Sequence, residues 1–242
     1  MRLIWFMILA IAQSSSFKQA QLKNVRVQNA FTEKEQTVRE YFPEKQLPAG
    51  GFNIFLRAFK KEKIVEVWVK YNESDRFMHL KDYGICSASG DLGPKRKEGD
   101  LQVPEGIYQI NHFNPQSNFL LSLGINYPNA SDKILSHSKH PGGAIYIHGN
   151  CVTIGCIPIT DDKIKELYIL AVEARNSGQE KIPVHIFPAR LEDAGMQELR
   201  VQYSNDPVRI SFWENLKPIY QDFETTKKLK AVKVNAKGGY YL

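Results

Sequence analysis

Beyond one short run near its N-terminus, the sequence has no long apolar stretch, no internal repeat, no extended block of like charge, and only three cysteines in 242 residues. Each shortage excludes something. The ten apolar residues Leu3–Ala12 are too few for a bilayer that needs roughly 20, and no later stretch is a candidate span. The 32 basic and 26 acidic residues are interspersed, so the net charge of +6 forms no nucleic-acid footprint. An RNP-like aromatic motif and zinc-finger spacing are also missing, so no nucleic-acid partner is expected. At 43% hydrophobic and 11% aromatic residues, the chain has ample material for a packed core and is not a disordered polymer.

The N-terminal "MRLIWFMILAIA" carries one positive charge, an apolar run and closing small residues, followed by polar "QSSS". This is the pattern of a secretory signal, assigned to residues 1–16, and it predicts an exported protein with no stable membrane span. Without Arg2 the formal charge would fall to +5. An odd number of cysteines in an oxidising compartment leaves one thiol free or paired between chains. A Cys86–Cys151 bridge would leave Cys156 free. A Cys151–Cys156 bridge is the competing arrangement, and it would abolish thiol chemistry there.

Strand patterns dominate the first two thirds of the chain. "FNIFLRAFKKEKIVEVWVKYN" alternates apolar and polar residues around a "KKEK" turn and predicts a β-hairpin. "RFMHLKDYGIC", Ile107–Ile110, "SNFLLSLGINYP" and "GAIYIHG" add further strands, and "SASGDLGPKRKEGDLQVPEG" is a loop punctuated by Gly and Pro. Thr160 is placed to cap a helix whose first turn holds Asp161 and Asp162. Ile164, Leu167, Ala171 and Ala174 repeat at helical spacing until "NSG". A strand at "IPVHIFP", a helix around "SFWENLKPIYQDFE" and a final hairpin, "KAVKVNAKGGYYL", complete the chain. Phe212, Trp213, Tyr220 and Phe223 are expected to pack that last helix onto a core. The class is α+β, mostly β. Residues 17–50 are expected to form a lead-in, 51–188 the main strand-rich domain and 189–242 a C-terminal helical and hairpin extension.

The stretch "HGNCVTIGC", His148 to Cys156, concentrates reactive side chains. His137, His140, His148, Cys151 and Cys156 could all bind zinc, yet their spacing matches no compact ligand pattern, so neither a metal nor another cofactor is expected. Gly155 permits close backbone approach, Thr153 offers a hydroxyl, and Pro158 fixes the chain before the helix. A sharp turn here could present the Cys156 sulfur beside backbone N–H groups, which is what acyl transfer requires. His148 could serve as the base and, by lowering the thiol pKa, populate the thiolate. Structural cysteines are the competing reading.

The block "IHGNCVTIGCIPITD" resembles the active-site signature of the L,D-transpeptidases (YkuD-type catalytic domain), in which His-Gly is followed by Ser or Thr, one residue, then Gly-Cys. It is most similar to the YafK-like branch, where the interval between histidine and cysteine is short. "YGICSASGDLGPKRKEGDLQVPEGIY", "GINYPNASD" and "FWENLKPIYQDFETTKK" also resemble this branch. The resemblance implies a YkuD-like β-sandwich, with a helix after the cysteine and a cleft under a mobile loop. It makes Cys156 the nucleophile and His148 the general base, with the Gly149 carbonyl orienting the imidazole. The N–H groups of Gly155 and Cys156 would form the oxyanion hole, Thr153 would support the loop, and Pro104 and Gly106 would form a structural turn.

Two departures reshape the pocket. Ile154 stands where the wider family has a histidine, and Pro158 where it has an arginine.

The implied reaction is attack on the L-centre carbonyl of a diamino acid, such as diaminopimelate, in a peptidoglycan stem peptide. A thioester on Cys156 then passes its acyl group to an amine acceptor. The alternative is a hydrolase or amidase that releases covalently linked lipoprotein from the wall, and a further one is a non-catalytic wall-binding protein. The expected location is the periplasm or cell envelope. Lys95, Arg96 and Lys97, in "PKRKEGD", are candidates for gripping substrate carboxylates, although the segment also reads as a solvated loop.

Overall fold

The lead-in is helical: α1 spans Phe17–Gln21 and α2 spans Val25–Glu40. The structure, a computed structural model, describes residues 16–136 and 138–242. All but the last residue of the expected signal segment therefore lies outside the described residues, as does His137. Apolar residues at helical spacing, Val27, Ala30, Phe31 and Val38, fix the buried face of α2.

Strands β1 (Phe52–Phe59) and β2 (Ile64–Tyr71) form the expected hairpin, in register from Phe52 opposite Tyr71 to Phe59 opposite Ile64. Next come β3 (Met78–Gly84), β4 (Gly106–Asn114), β5 (Ser122–Ile125), α3 (Ala130–Leu135), β6 (Tyr146–His148) and β7 (Ile157–Pro158). The chain ends with α4 (Asp161–Asn176), β8 (Ile182–Phe187), α5 (Asp193–Gln202), α6 (Pro207–Thr226), β9 (Lys233–Val234) and β10 (Tyr240–Tyr241). Eight strands make one curled sheet in the order β3-β2-β1-β8-β4-β5-β6-β7, and β9 and β10 pair separately. The mixed, strand-rich class expected from the sequence is the one found.

Alternation along β1 sends its side chains to two different cores. Ile54, Leu56 and Ala58 join a cluster with α2 and α4. On the opposite face Phe55 meets Phe223 of α6, with ring centroids 4.9 Å apart, and Phe59 meets Tyr220. The aromatics of α6 therefore pack inward as expected. Two of the hairpin's polar residues, Arg57 and Glu66, do not reach solvent, however. Arg57 is only 1% exposed and bonds to Glu66 at 2.6 Å and Glu224 at 2.7 Å. Helices on both faces bury the central strands, and a buried charge needs such partners. Glu105, fully buried, accepts bonds from Trp213 Nε1 at 2.7 Å and Gly93 N at 2.6 Å, which ties α6 to the loop before β4.

Candidate active site

Two short parallel strands at the sheet edge bring histidine and cysteine together. Ile147 lies opposite Ile157, and His148 opposite Pro158. Cys156 stands immediately before β7, and its thiol lies against the start of β6, where the Tyr146 backbone is a hydrogen-bond partner. His148 is buried and stacks on Phe119, with ring centroids 4.4 Å apart and planes 25° from parallel. Its Nδ1 donates to the Gly149 carbonyl at 2.5 Å. That bond leaves Nε2 as the lone-pair nitrogen, buried and with no hydrogen-bond partner among the described residues. The Cys156 thiol is half-buried and donates to the Ala144 carbonyl at 3.6 Å.

The structure corrects the expected charge state. Burial pushes the Cys156 thiol above its ordinary value, with a Tyr146 backbone hydrogen bond and the Lys95 charge opposing that shift. Burial also holds His148 below the ordinary imidazole value, against the effect of its Gly149 bond. Both shifts favour a neutral thiol beside a neutral imidazole over a standing thiolate–imidazolium pair. The ring can then take the proton during attack, as a general base.

The turn before Cys156 is built on Thr153. Its Oγ1 accepts from Cys156 N at 2.8 Å and Gly155 N at 3.1 Å, and donates to the Cys156 carbonyl at 2.8 Å. Thr153 thus supports the loop, but the two N–H groups expected to form an open oxyanion hole both point at its hydroxyl. Gly155 has φ +136°, and a Cβ there would sit 3.1 Å from the Gln102 carbonyl. A Cβ on Gly149 would lie 2.5 Å from Asp161 Oδ1. Thr160 precedes α4 with φ +73° and makes no side-chain cap. The expected capping bond is absent, and Asp161 in the first turn instead ties α4 to the turn after β6, its Oδ1 accepting from Asn150 N at 2.7 Å.

Cys86 and Cys151 are joined by a disulfide, with Cα atoms 5.6 Å apart, and Cys156 is free. Cys151 is thereby withdrawn from metal binding. Among the described residues, no group of three or more His, Cys, Asp or Glu side chains is arranged to hold a metal ion. Among them too, no helix is long and apolar enough to cross a membrane.

The basic segment proves to be three different things. Lys95 is 4% exposed and bonds to Asp100 Oδ1 at 2.5 Å and the Lys97 carbonyl at 2.9 Å, so it is neither solvated nor free to grip a substrate. Its positive charge is nevertheless close enough to act on Cys156. Arg96 is partly buried over the Phe212 ring. Only Lys97 is exposed. The Asp100 carboxylate that organises this loop, accepting from the N–H groups of Arg96, Lys97 and Gln102, was not singled out from the sequence. Neither was Phe119, and Asp161 reads in the sequence only as a first-turn residue of its helix. The "EGD" run is an Asx-turn signal that marks Asp100, whereas no local pattern marks Phe119, which meets His148 from 29 residues away. Ile154 is 79% exposed and forms an outer lip of the turn.

The sequence profile described as "L,D-transpeptidase catalytic domain" (YkuD) matches residues 60–186. This chain belongs to that family. It is 38% identical over 186 residues to "Putative L,D-transpeptidase YafK" of Escherichia coli K12, covering 76% of this chain and 72% of the relative. The O157:H7 protein of the same name matches equally. Among solved structures it is similar to the helical cell shape determining protein Pgp2 of Campylobacter jejuni (TM-score 0.45, 20% identity, 76% of this chain and 73% of that one). Bdellovibrio bacteriovorus Bd1075 is also similar (TM-score 0.39, 22% identity, 71% and 60%). The L,D-transpeptidase family consists of acyltransferases that act on peptidoglycan.

Proposed function

We propose that this protein is an exported cysteine acyl-transfer enzyme of the cell envelope, with Cys156 as nucleophile and His148 as general base. The observation that carries the reading is the orphaned His148 Nε2: it is buried, has no partner among the described residues, and is fixed as the basic nitrogen by the Nδ1–Gly149 bond, on the strand that pairs with the one immediately following the free Cys156 thiol. A buried polar atom without a partner is costly, and a reacting thiol is the partner that would repay the arrangement.

The donor is a diaminopimelate-containing stem peptide. As Cys156 Sγ attacks the carbonyl, the thiol proton passes to His148 Nε2 and an S–C bond forms. The imidazolium then returns the proton to the departing amine as the C–N bond breaks, leaving a thioester. An amine acceptor attacks next, giving its proton to Nε2, and the regenerated thiol leaves with a new amide formed. The oxyanion needs donors while charge develops on it. The Gly155 and Cys156 N–H groups can serve once Thr153 Oγ1 gives way to the substrate oxygen.

The test is mass spectrometry of peptidoglycan fragments, with and without a linked peptide, incubated with the enzyme or its Cys156→Ala variant. A Cys156-dependent mass change supports the reading. A product carrying the acceptor indicates transpeptidation, and one carrying water indicates the hydrolase. Identical spectra for the two proteins, with the thiol shown to be free, would sink it in favour of a wall-binding module.

A further inference from the structure

A cavity of about 830 Å³ opens between the 93–102 segment, the first half of α6 and the β9–β10 hairpin. The chemistry of His148 and Cys156 does not use it. Its volume falls within the range of small-molecule sites, and its wall combines apolar Phe212, Leu135 and Val208 with polar Ser211.

The charges around it do not cancel. Arg209 is matched, bonding to Asp91 at 2.8 Å and Asp206 at 3.0 Å. Arg96 is not. Its guanidinium carbon sits 4.9 Å from the Phe212 ring centroid, and its one carboxylate contact among the described residues, Asp132, is 3.4 Å away. That is long for a charge-assisted bond, which runs to about 2.9 Å. The Asp132 carboxylate is also engaged by Tyr108 Oη at 2.9 Å and Asn129 N at 3.1 Å. Burial pushes its pKa up to about 6, so it still carries its charge at neutral pH, but that charge is shared with these two donors. Lys237, exposed on the hairpin, has no ion pair among the described residues.

The same segment reaches both sites. Gln102 lines the cavity, and its carbonyl abuts Gly155, the residue before the nucleophile. Asp100 holds the backbone N–H of Arg96 and the ammonium of Lys95, whose charge acts on Cys156.

We propose that this cavity is a second subsite, which takes a carboxylate-bearing peptide arm of the wall polymer: Arg96 and Lys237 hold the carboxylate, and Phe212 packs against the aliphatic part. A planar guanidinium presents paired donors matched to a carboxylate. Assignment to the wall polymer rests on the acyl-transfer reading above, while the anion preference of the cavity does not.

The experiment is an NMR titration of isotope-labelled Cys156→Ala protein with N-acetyl-glutamyl-alanine and, separately, with its diamide. The free acid is expected to shift the amides of Ser211, Asn235 and Gly239 in a saturable way, and the diamide to leave them in place. Lys237→Glu, a surface change, should weaken binding by about tenfold or more. Arg96→Gln should weaken it as well, with Arg96→Lys restoring part of the loss. Equal shifts with the diamide, shifts confined to the Cys156 turn, or none up to millimolar ligand would overturn the subsite.

A carbapenem, a β-lactam of the class that acylates this family, separates the two readings when mixed with the unmodified protein. An adduct on Cys156 without peptide shifts removes the subsite alone. Peptide shifts without an adduct remove the wall-polymer assignment and leave a carboxylate site.

Discussion

At the scale of the residue, the account turns on His148 being neutral and Thr153 being a scaffold. Protonating His148 removes the base, and its pKa is lowered by burial. The acid limb of kcat/KM should therefore fall below the ordinary imidazole range, near 6.5. The alkaline limb should lie above the ordinary thiol range because burial raises Cys156. A pH–rate profile checks both, and an acid limb above pH 7 would contradict the neutral pair.

Thr153→Ala deletes three hydrogen bonds in the turn. It should cut activity well over tenfold, and cost about 1–3 kcal/mol of stability if the N–H groups find no replacement. Thr153→Ser should restore most of both, as thermal melts and turnover would show. The His148–Gly149 bond and the free state of Cys156 lie in a stretch that a local signature singles out in the sequence. The paired role of Lys95 was not legible, because its partner Asp100 acts through a fold of the loop that composition describes only as basic.

At the scale of the element, the hairpin β1–β2, helix α4 and the terminal β9–β10 pair were readable from period and turn chemistry. Helix α5 carries no comparably clear signal, whereas the spacing of Val27, Ala30 and Phe31 marks a helical face within the lead-in. Burial of the central strands on both faces could not be read from β1 itself, since alternation looks the same whether the second face meets water or α6. The entry to α4 differs for a related reason: the residues before it are held by tertiary bonds, Ile159 N to the His148 carbonyl and Thr160 N to the Asn150 carbonyl, and not by a local cap. Thr160 therefore sits at φ +73°, where L side chains are strained. Thr160→Gly should raise stability by about 1 kcal/mol if relief of that strain exceeds the added chain entropy. A thermal melt measures it, and a clear loss would mean that the Thr160 side chain has a packing role.

At the scale of the molecule, the Cys86–Cys151 disulfide closes a loop with a sequence separation of 65 and ties the segment just after β3 to the turn that leads to Cys156. Loop entropy gives the bridge a stabilising value of about 4 kcal/mol. The Cys86→Ser, Cys151→Ser double variant should melt at lower temperature and lose activity more steeply than stability, because the Asn150–Cys156 turn loses its tether. Equal melting of the two proteins would contradict this.

Stability should also fall on acidification. Burial holds His185 down to about 3, so between 6.5 and 3 the unfolded chain takes up a proton that the fold refuses. Asp132, raised to about 6, works in the opposite direction between 3.8 and 6 and softens the slope without reversing it.

The most direct test of the central claim is intact-protein mass spectrometry of the enzyme quenched during turnover of a stem-peptide substrate, followed by peptide mapping. The account predicts an acyl mass on the peptide containing Cys156, labile to hydroxylamine as a thioester is, and absent from Cys156→Ala. Turnover by Cys156→Ala at the unmodified rate, or an acyl group mapped to another residue, would contradict it.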